Sequence, residues 1–209
     1  MQNLKDQNKL SLAALTGTPL LIIFVLEVGL SDAKSAIDYV TAAGLVALAV
    51  TLLVLLSDVI PQSLKNKIVF LRLWNELPGH RCDKLCFADP RLEKNELQTT
   101  WQHVFGGDVC DSERNSLWYR HIYKPVMEEP QVQSAHLKFL LYRDVTAGSL
   151  LILLILIAWS LSGLQLPHIG TIHPWAIGIE AVFLLGALLS AQSYGKRLVV
   201  NATAIRTAT

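Results

Sequence analysis

The chain has 209 residues, 52% hydrophobic and 17% charged, with 18 Lys+Arg against 17 Asp+Glu. The near-neutral balance excludes a strongly basic nucleic-acid-binding domain. The apolar content, above the roughly 45–50% of soluble domains, excludes a disordered chain, and three cysteines are too few for a disulfide-stapled miniprotein. Residues 61–144 hold 12 of the basic and 11 of the acidic side chains, so long uncharged stretches flank one polar segment, the pattern of a membrane protein with a single polar domain.

A helix needs about 20 mostly apolar residues to cross the hydrocarbon core, and four segments meet that length. The first, Leu10–Leu30, holds one charge, Glu27; its Thr18-Pro19 pair reads either as a helix start or as a kink. Its apolar run is longer than the roughly 7–15 residues of a signal-peptide core and a second hydrophobic segment follows, so it is read as a retained helix. The second, Tyr39–Ser57, is uncharged and closed by Asp58 and Pro61. The third and fourth divide a 35-residue uncharged stretch, Val145–Ile179, that extends past Glu180 to Tyr194. Gly163, Pro167, Gly170 and Pro174 punctuate its middle, which predicts helices at about 145–163 and 174–194.

Orientation follows from the basic residues. Lys5 and Lys9 precede the first span, Lys196, Arg197 and Arg206 follow the last, and the two short loops carry only Lys34, so both termini and the polar segment are expected in the cytosol. Cys82, Cys86 and Cys110 then sit in a reducing compartment as free thiols. The fold expected is an all-α membrane protein with four transmembrane helices and a helical cytosolic insert between the second and third. Its parts are a transmembrane hairpin over 1–62, the insert over 63–144, and a second hairpin with a cytosolic tail over 145–209. A small bundle in the lipid bilayer commonly hides intramembrane polar groups by self-association, so a homo-oligomer is expected.

The insert has helical periodicity. Leu64, Ile68 and Leu71 recur at spacings of four and three, with Leu77 six residues further on, which predicts an amphipathic helix stopped at Pro78-Gly79. Asp89-Pro90 reads as an N-cap and first helical position of a helix ending before Gly106-Gly107. Asp111-Ser112 announces a third, with Leu117, Trp118, His121 and Ile122 before Pro125. A fourth starts near Pro130 and runs through Val132, His136, Phe139 and Leu140 into the third span.

Chemistry is sparse. Cys82-x3-Cys86, with His80, His103 and Cys110, matches structural-zinc spacing poorly, so no metal and no cofactor are expected. No nucleophile elbow, H-E-x-x-H, P-loop or dinucleotide fingerprint is present, so no catalytic residue is nominated. Arg143 and Asp144 fall where insert meets third span; they read as an interfacial anchor with Tyr142 or as a joint through which motion of the insert reaches the membrane. Glu27 and Glu180 lie inside the outer ends of the first and fourth spans. An acid at such a depth is a functional candidate, a ring of them at a pore mouth drawing in cations; the alternative is that both reach water and do little.

The string LWNELPGHRCDKLCFADPRLEKNEL, followed by NSLWYRHIY and by HLKFLLYRD ahead of a hydrophobic span, resembles small bacterial inner-membrane effectors of anti-phage defence, among them those of retrons; in size and layout the chain is also similar to the membrane subunit of the Kiwa system. The residues carrying the resemblance include Leu77, Pro78, Gly79, His80, Arg81, Asp89, Pro90, Arg91, Trp118, Tyr119, His136, Arg143 and Asp144. It implies a non-enzymatic protein of the inner membrane, restrained by a cytosolic defence protein or ribonucleoprotein encoded nearby and released on infection, with no direct nucleic-acid binding. His80, Arg81, Asp89, Arg91, Trp118, Tyr119, His136, Arg143 and Asp144 are the nominated coupling or partner-binding residues. A membrane anchor that recruits and regulates a soluble effector is the alternative from another class.

Overall fold

The computed structural model describes residues 8–29, 59–163 and 172–208, together with Gly44, Ala47, Leu48, Thr51 and Leu55. All regular structure among them is helical. The expected second span therefore lies for the most part outside the described residues, as do Asp58 and residues 164–171.

The first expected span is helix α1, Lys9–Gly29. Pro19 lies inside it rather than at its start, where it supplies no N–H to the carbonyl four residues back. The hydroxyls of Thr16 and Thr18 turn back on the carbonyls of Leu12 and Ala14, each at 2.7 Å.

The amphipathic helix at the start of the insert is shorter than its periodicity predicts. α2 covers Gln62–Phe70 and stops because Leu71 enters the left-handed region at φ 51°. The amide of Arg72 then closes on the carbonyl of Lys67 at 3.2 Å, the six-to-one bond of a Schellman ending, with leucine where glycine is usual. Asn75 is also left-handed, at φ 50°, and between these two bends Leu71, Arg72, Leu73 and Trp74 are all exposed. The chain resumes with a 3-10 turn, Pro78–Arg81, and α3, Cys82–Phe87. Gly79 is more than a helix stop: a Cβ there would collide with the Asn115 side chain and lie 3.0 Å from Trp118.

Asp89 does not cap a helix at Pro90. Its carboxylate instead takes the Arg91 amide at 3.1 Å and the Arg91 guanidinium at 2.9 Å, a local alternative to capping open to short acidic side chains. The next helices are α4, Lys94–Thr100, and α5, Gln102–Phe105, ending before Gly106 as expected. α6, Asp111–Trp118, widens into a π turn over Tyr119–Tyr123 before α7, Lys124–Val126. Pro125 offers no N–H to the helix, and the carbonyl of His121 four residues earlier takes the Arg206 guanidinium at 3.4 Å.

Two helices complete the chain: α8, Pro130–Ser162, and α9, Pro174–Ala208. Both are long and apolar enough to cross a membrane. α8 runs unbroken from the insert into the third expected span. α9 continues well past Tyr194, so the residues expected to form a tail are helical.

The chain divides into two compact units. One combines residues 1–65 with 141–189 and is called the membrane unit; the other combines 66–140 with 190–209 and is called the insert unit. The membrane unit packs Ile23, Ile152, Leu156, Ile172 and Ala176 in one cluster and Leu12, Val145 and Ala187 in another. In the insert unit the end of α9 is the core: Val199, Ala202 and Thr203 are fully buried with Cys82, Cys86, Val104 and Ile122. The Thr203 hydroxyl donates to the carbonyl of Val199 and meets the Cys86 thiol and the Trp118 indole N–H, both at 3.4 Å. Gly195 lets Phe70 and Phe139 approach the helix; a Cβ there would lie 2.8 Å from Phe70.

Candidate functional site

The buried faces of α8 and α9 are set by helical spacing. On α9, Ala176, Glu180, Phe183, Ala187 and Ala191 recur every three or four residues, and Ala176, Glu180, Ala187 and Ala191 are buried, while Val182, Leu185 and Leu189 on the other side are exposed. Glu180 therefore sits in a buried row whose alanines, Ala176, Ala187 and Ala191, let a neighbouring helix approach closely. On α8, Val145, Ser149, Ile152 and Leu156 form the matching buried face. α1 approaches at Gly148, where a Cβ would lie 3.3 Å from the Thr16 methyl.

These faces enclose polar groups in two places within the membrane unit. At the first, Ser149 donates its hydroxyl to Glu180 Oε1, and Glu180 is 0% exposed. Its second oxygen, Oε2, is buried with no hydrogen-bond partner. The depth of Glu180 in the sequence allows it to reach water near the outer end of its span; in the structure the protein itself encloses it. The backbone of Glu27 lies in α1, and its side chain is outside the described residues.

At the second, Asp144 Oδ1 accepts from Lys65 Nζ at 3.0 Å, from Arg143 Nη2 at 3.0 Å and from Arg143 Nε at 3.1 Å. All three residues are buried. An ion group so enclosed is strongly destabilised when one member is lost and adds little net stability while intact. Arg143 and Asp144, which the sequence offers as an interfacial anchor or as a joint between insert and span, are buried in the structure. Lys65 carries no signal in the sequence, because no local spacing joins it to a carboxylate 79 residues later.

The insert residues nominated from sequence do not converge on one site. Trp118 is buried against Thr203, and Tyr123 bonds His136 Nδ1 at 2.6 Å. Tyr119 is half exposed and stacks on Tyr123 with ring centroids 5.2 Å apart. His80 Nδ1 meets the carbonyl of Asp111 at 2.7 Å, and the Arg81 guanidinium lies over the Phe70 ring at 5.8 Å. Asp89 and Arg91 pair, and Arg91 reaches Asn201 at 3.2 Å; the guanidinium holds the Asp89 carboxyl below its ordinary value. These contacts knit the insert unit together. None of the nominated residues lines the open cavity of about 370 Å³ bounded by Gln102, His103, Gly106, Asp108 and Val109.

Burial pushes the Cys82 thiol well up and the Cys86 thiol up to about 12, the second against the opposing hydrogen bond to Thr203. Cys110 is exposed, and its hydrogen bond with Ser112 lowers its thiol. Among the described residues no group of three or more His, Cys, Asp and Glu side chains is placed to hold a metal ion. Comparison with protein-family models, with curated proteins and with solved structures finds no match.

Proposed function

We propose that the chain is a non-enzymatic effector of anti-phage defence in the bacterial inner membrane, a four-span protein with both termini and the 63–144 insert in the cytosol, acting as a homo-oligomer. A defence protein or ribonucleoprotein restrains it through the insert. Release alters packing in the membrane unit and raises the permeability of the bilayer. The single observation that carries this reading is the Ser149–Glu180 hydrogen bond between α8 and α9, two helices that each continue without a break as elements of the insert unit. A force on the insert segments of these rods is transmitted through backbone hydrogen bonds to Ser149 and Glu180, with no flexible linker to absorb it.

Expression in a bacterium, alone and with the neighbouring genes, while membrane potential is followed, tests the proposal. Depolarisation that the neighbours suppress is the expected result, with Glu180→Gln and Ser149→Ala changing its size. Growth arrest at full membrane potential would overturn it. Stable co-purification with a soluble protein and no effect of the chain by itself would favour the recruiting anchor instead.

A further inference from the structure

We propose that Glu180 is a proton-binding site within the membrane unit, carrying H⁺ in the resting protein and releasing it when water enters between α8 and α9. The inference deepens the reading above: it rests on the unit being embedded in a membrane and not on the chain being a defence effector.

Two buried carboxyls among the described residues of this unit are treated in opposite ways. Asp144 has two cations within 3.1 Å of one oxygen and can be ionised where it stands. Glu180 is as deeply enclosed, yet receives one neutral hydroxyl on Oε1 and nothing on Oε2. An ionised carboxylate can accept about four hydrogen bonds, and in an apolar interior it needs those bonds or a counter-charge to replace lost hydration. Within the membrane unit, the other charged or titratable side chains among the described residues are Lys9 on α1, Lys65 on α2, Tyr142, Arg143 and Asp144 on α8, and His173 ahead of α9; the hydrogen bond that Glu180 makes is with Ser149. The side chain of Glu27 is outside the described residues. With one hydroxyl and no cation against it among the described residues, the form that fits is the neutral acid, Glu–CO₂H. Release is a simple proton transfer: the O–H bond breaks, the electron pair stays on the carboxylate, and an entering water takes the proton. The neutral form is retained while the helices exclude water, so occupancy of the site reports whether they are closed.

Infrared absorption of the purified full-length chain in lipid vesicles at neutral pH tests the assignment independently of ion flux. Subtracting the Glu180→Gln spectrum is expected to leave the C=O stretch of a protonated carboxylic acid. In Ser149→Ala that band moves to higher frequency, because the carbonyl oxygen loses its donor. A difference containing only carboxylate stretches would overturn the proposal, as would replacement of the C=O band by carboxylate bands on adding sodium chloride, which would mark a cation site. If Glu180→Gln does not fold, wild type minus Ser149→Ala still decides. A shifted C=O feature supports the neutral acid, and a shift confined to the carboxylate region refutes it. Failure of the permeability reading would leave these spectra unchanged.

Discussion

Asp144 draws three donor contacts to one oxygen from side chains that come from opposite ends of the insert. Asp144→Ala leaves Lys65 and Arg143 enclosed without that carboxylate, and breaking such a pair costs about 3–5 kcal/mol. Lys65→Met keeps the Arg143–Asp144 pair and is expected to cost clearly less; denaturation of the two variants in micelles checks the order, and equal losses would mean that the cations depend on other groups. The thiols give a second test at this scale. Thiolate is the reactive form, and both position and thiol acidity set Cys110 apart from Cys82 and Cys86. One thiol per native chain is expected to react with a maleimide at neutral pH, and three after unfolding. What was legible here was the pair Arg143 and Asp144, flagged because charges are rare beside an apolar run. Their environment was not legible, since it depends on a lysine supplied by a distant helix.

Helix α2 ends at a leucine in the left-handed region, a conformation that costs a non-glycine residue about 1–2 kcal/mol. Leu71 is exposed and gives up little burial, so Leu71→Gly is expected to stabilise the insert unit by up to about 1 kcal/mol after the extra backbone entropy of glycine is deducted. Thermal unfolding followed by circular dichroism measures it. Gly195→Leu acts in the opposite direction, forcing Phe70 and Phe139 away from α9 at about 1–3 kcal/mol. Local signals identify α1, the start of α6 and the unbroken run of α8: an apolar run of spanning length, Asp111-Ser112, and the lack of any breaker after Pro130. Periodicity overruns α2 because Leu71 and Leu77 continue the apolar pattern, and nothing in leucine announces a left-handed bend. Hydropathy stops α9 at Tyr194 because Lys196 and Arg197 end the uncharged run. Hydropathy reports where a membrane helix leaves lipid and not where the helix ends, and Val199, Ala202 and Thr203 continue it as the core of the other unit.

Across the whole molecule, acidity and sidedness make separate tests. Burial, then neighbouring His103 and Arg120, hold the His121 imidazole below its ordinary value of 6.5. The unfolded chain therefore binds a proton there before the folded chain does, and the stability contributed by this group declines as pH falls below about 6.5. In His121→Gln the corresponding part of the decline in Tm is expected to disappear. For sidedness, Cys110 lies in the insert and is exposed; a membrane-impermeant maleimide is expected to label it in inverted inner-membrane vesicles and to miss it in spheroplasts, and the reverse pattern would place the insert outside. The Lys65–Asp144 contact, finally, has a consequence in time. Its two residues are separated by 79 positions, and a ribosome adding about 5–20 residues per second reaches Asp144 roughly 4–16 s after Lys65. Through that interval the first half of the membrane unit exists without the acid that completes it, so its closure is an event of late translation, scheduled by the length of the insert.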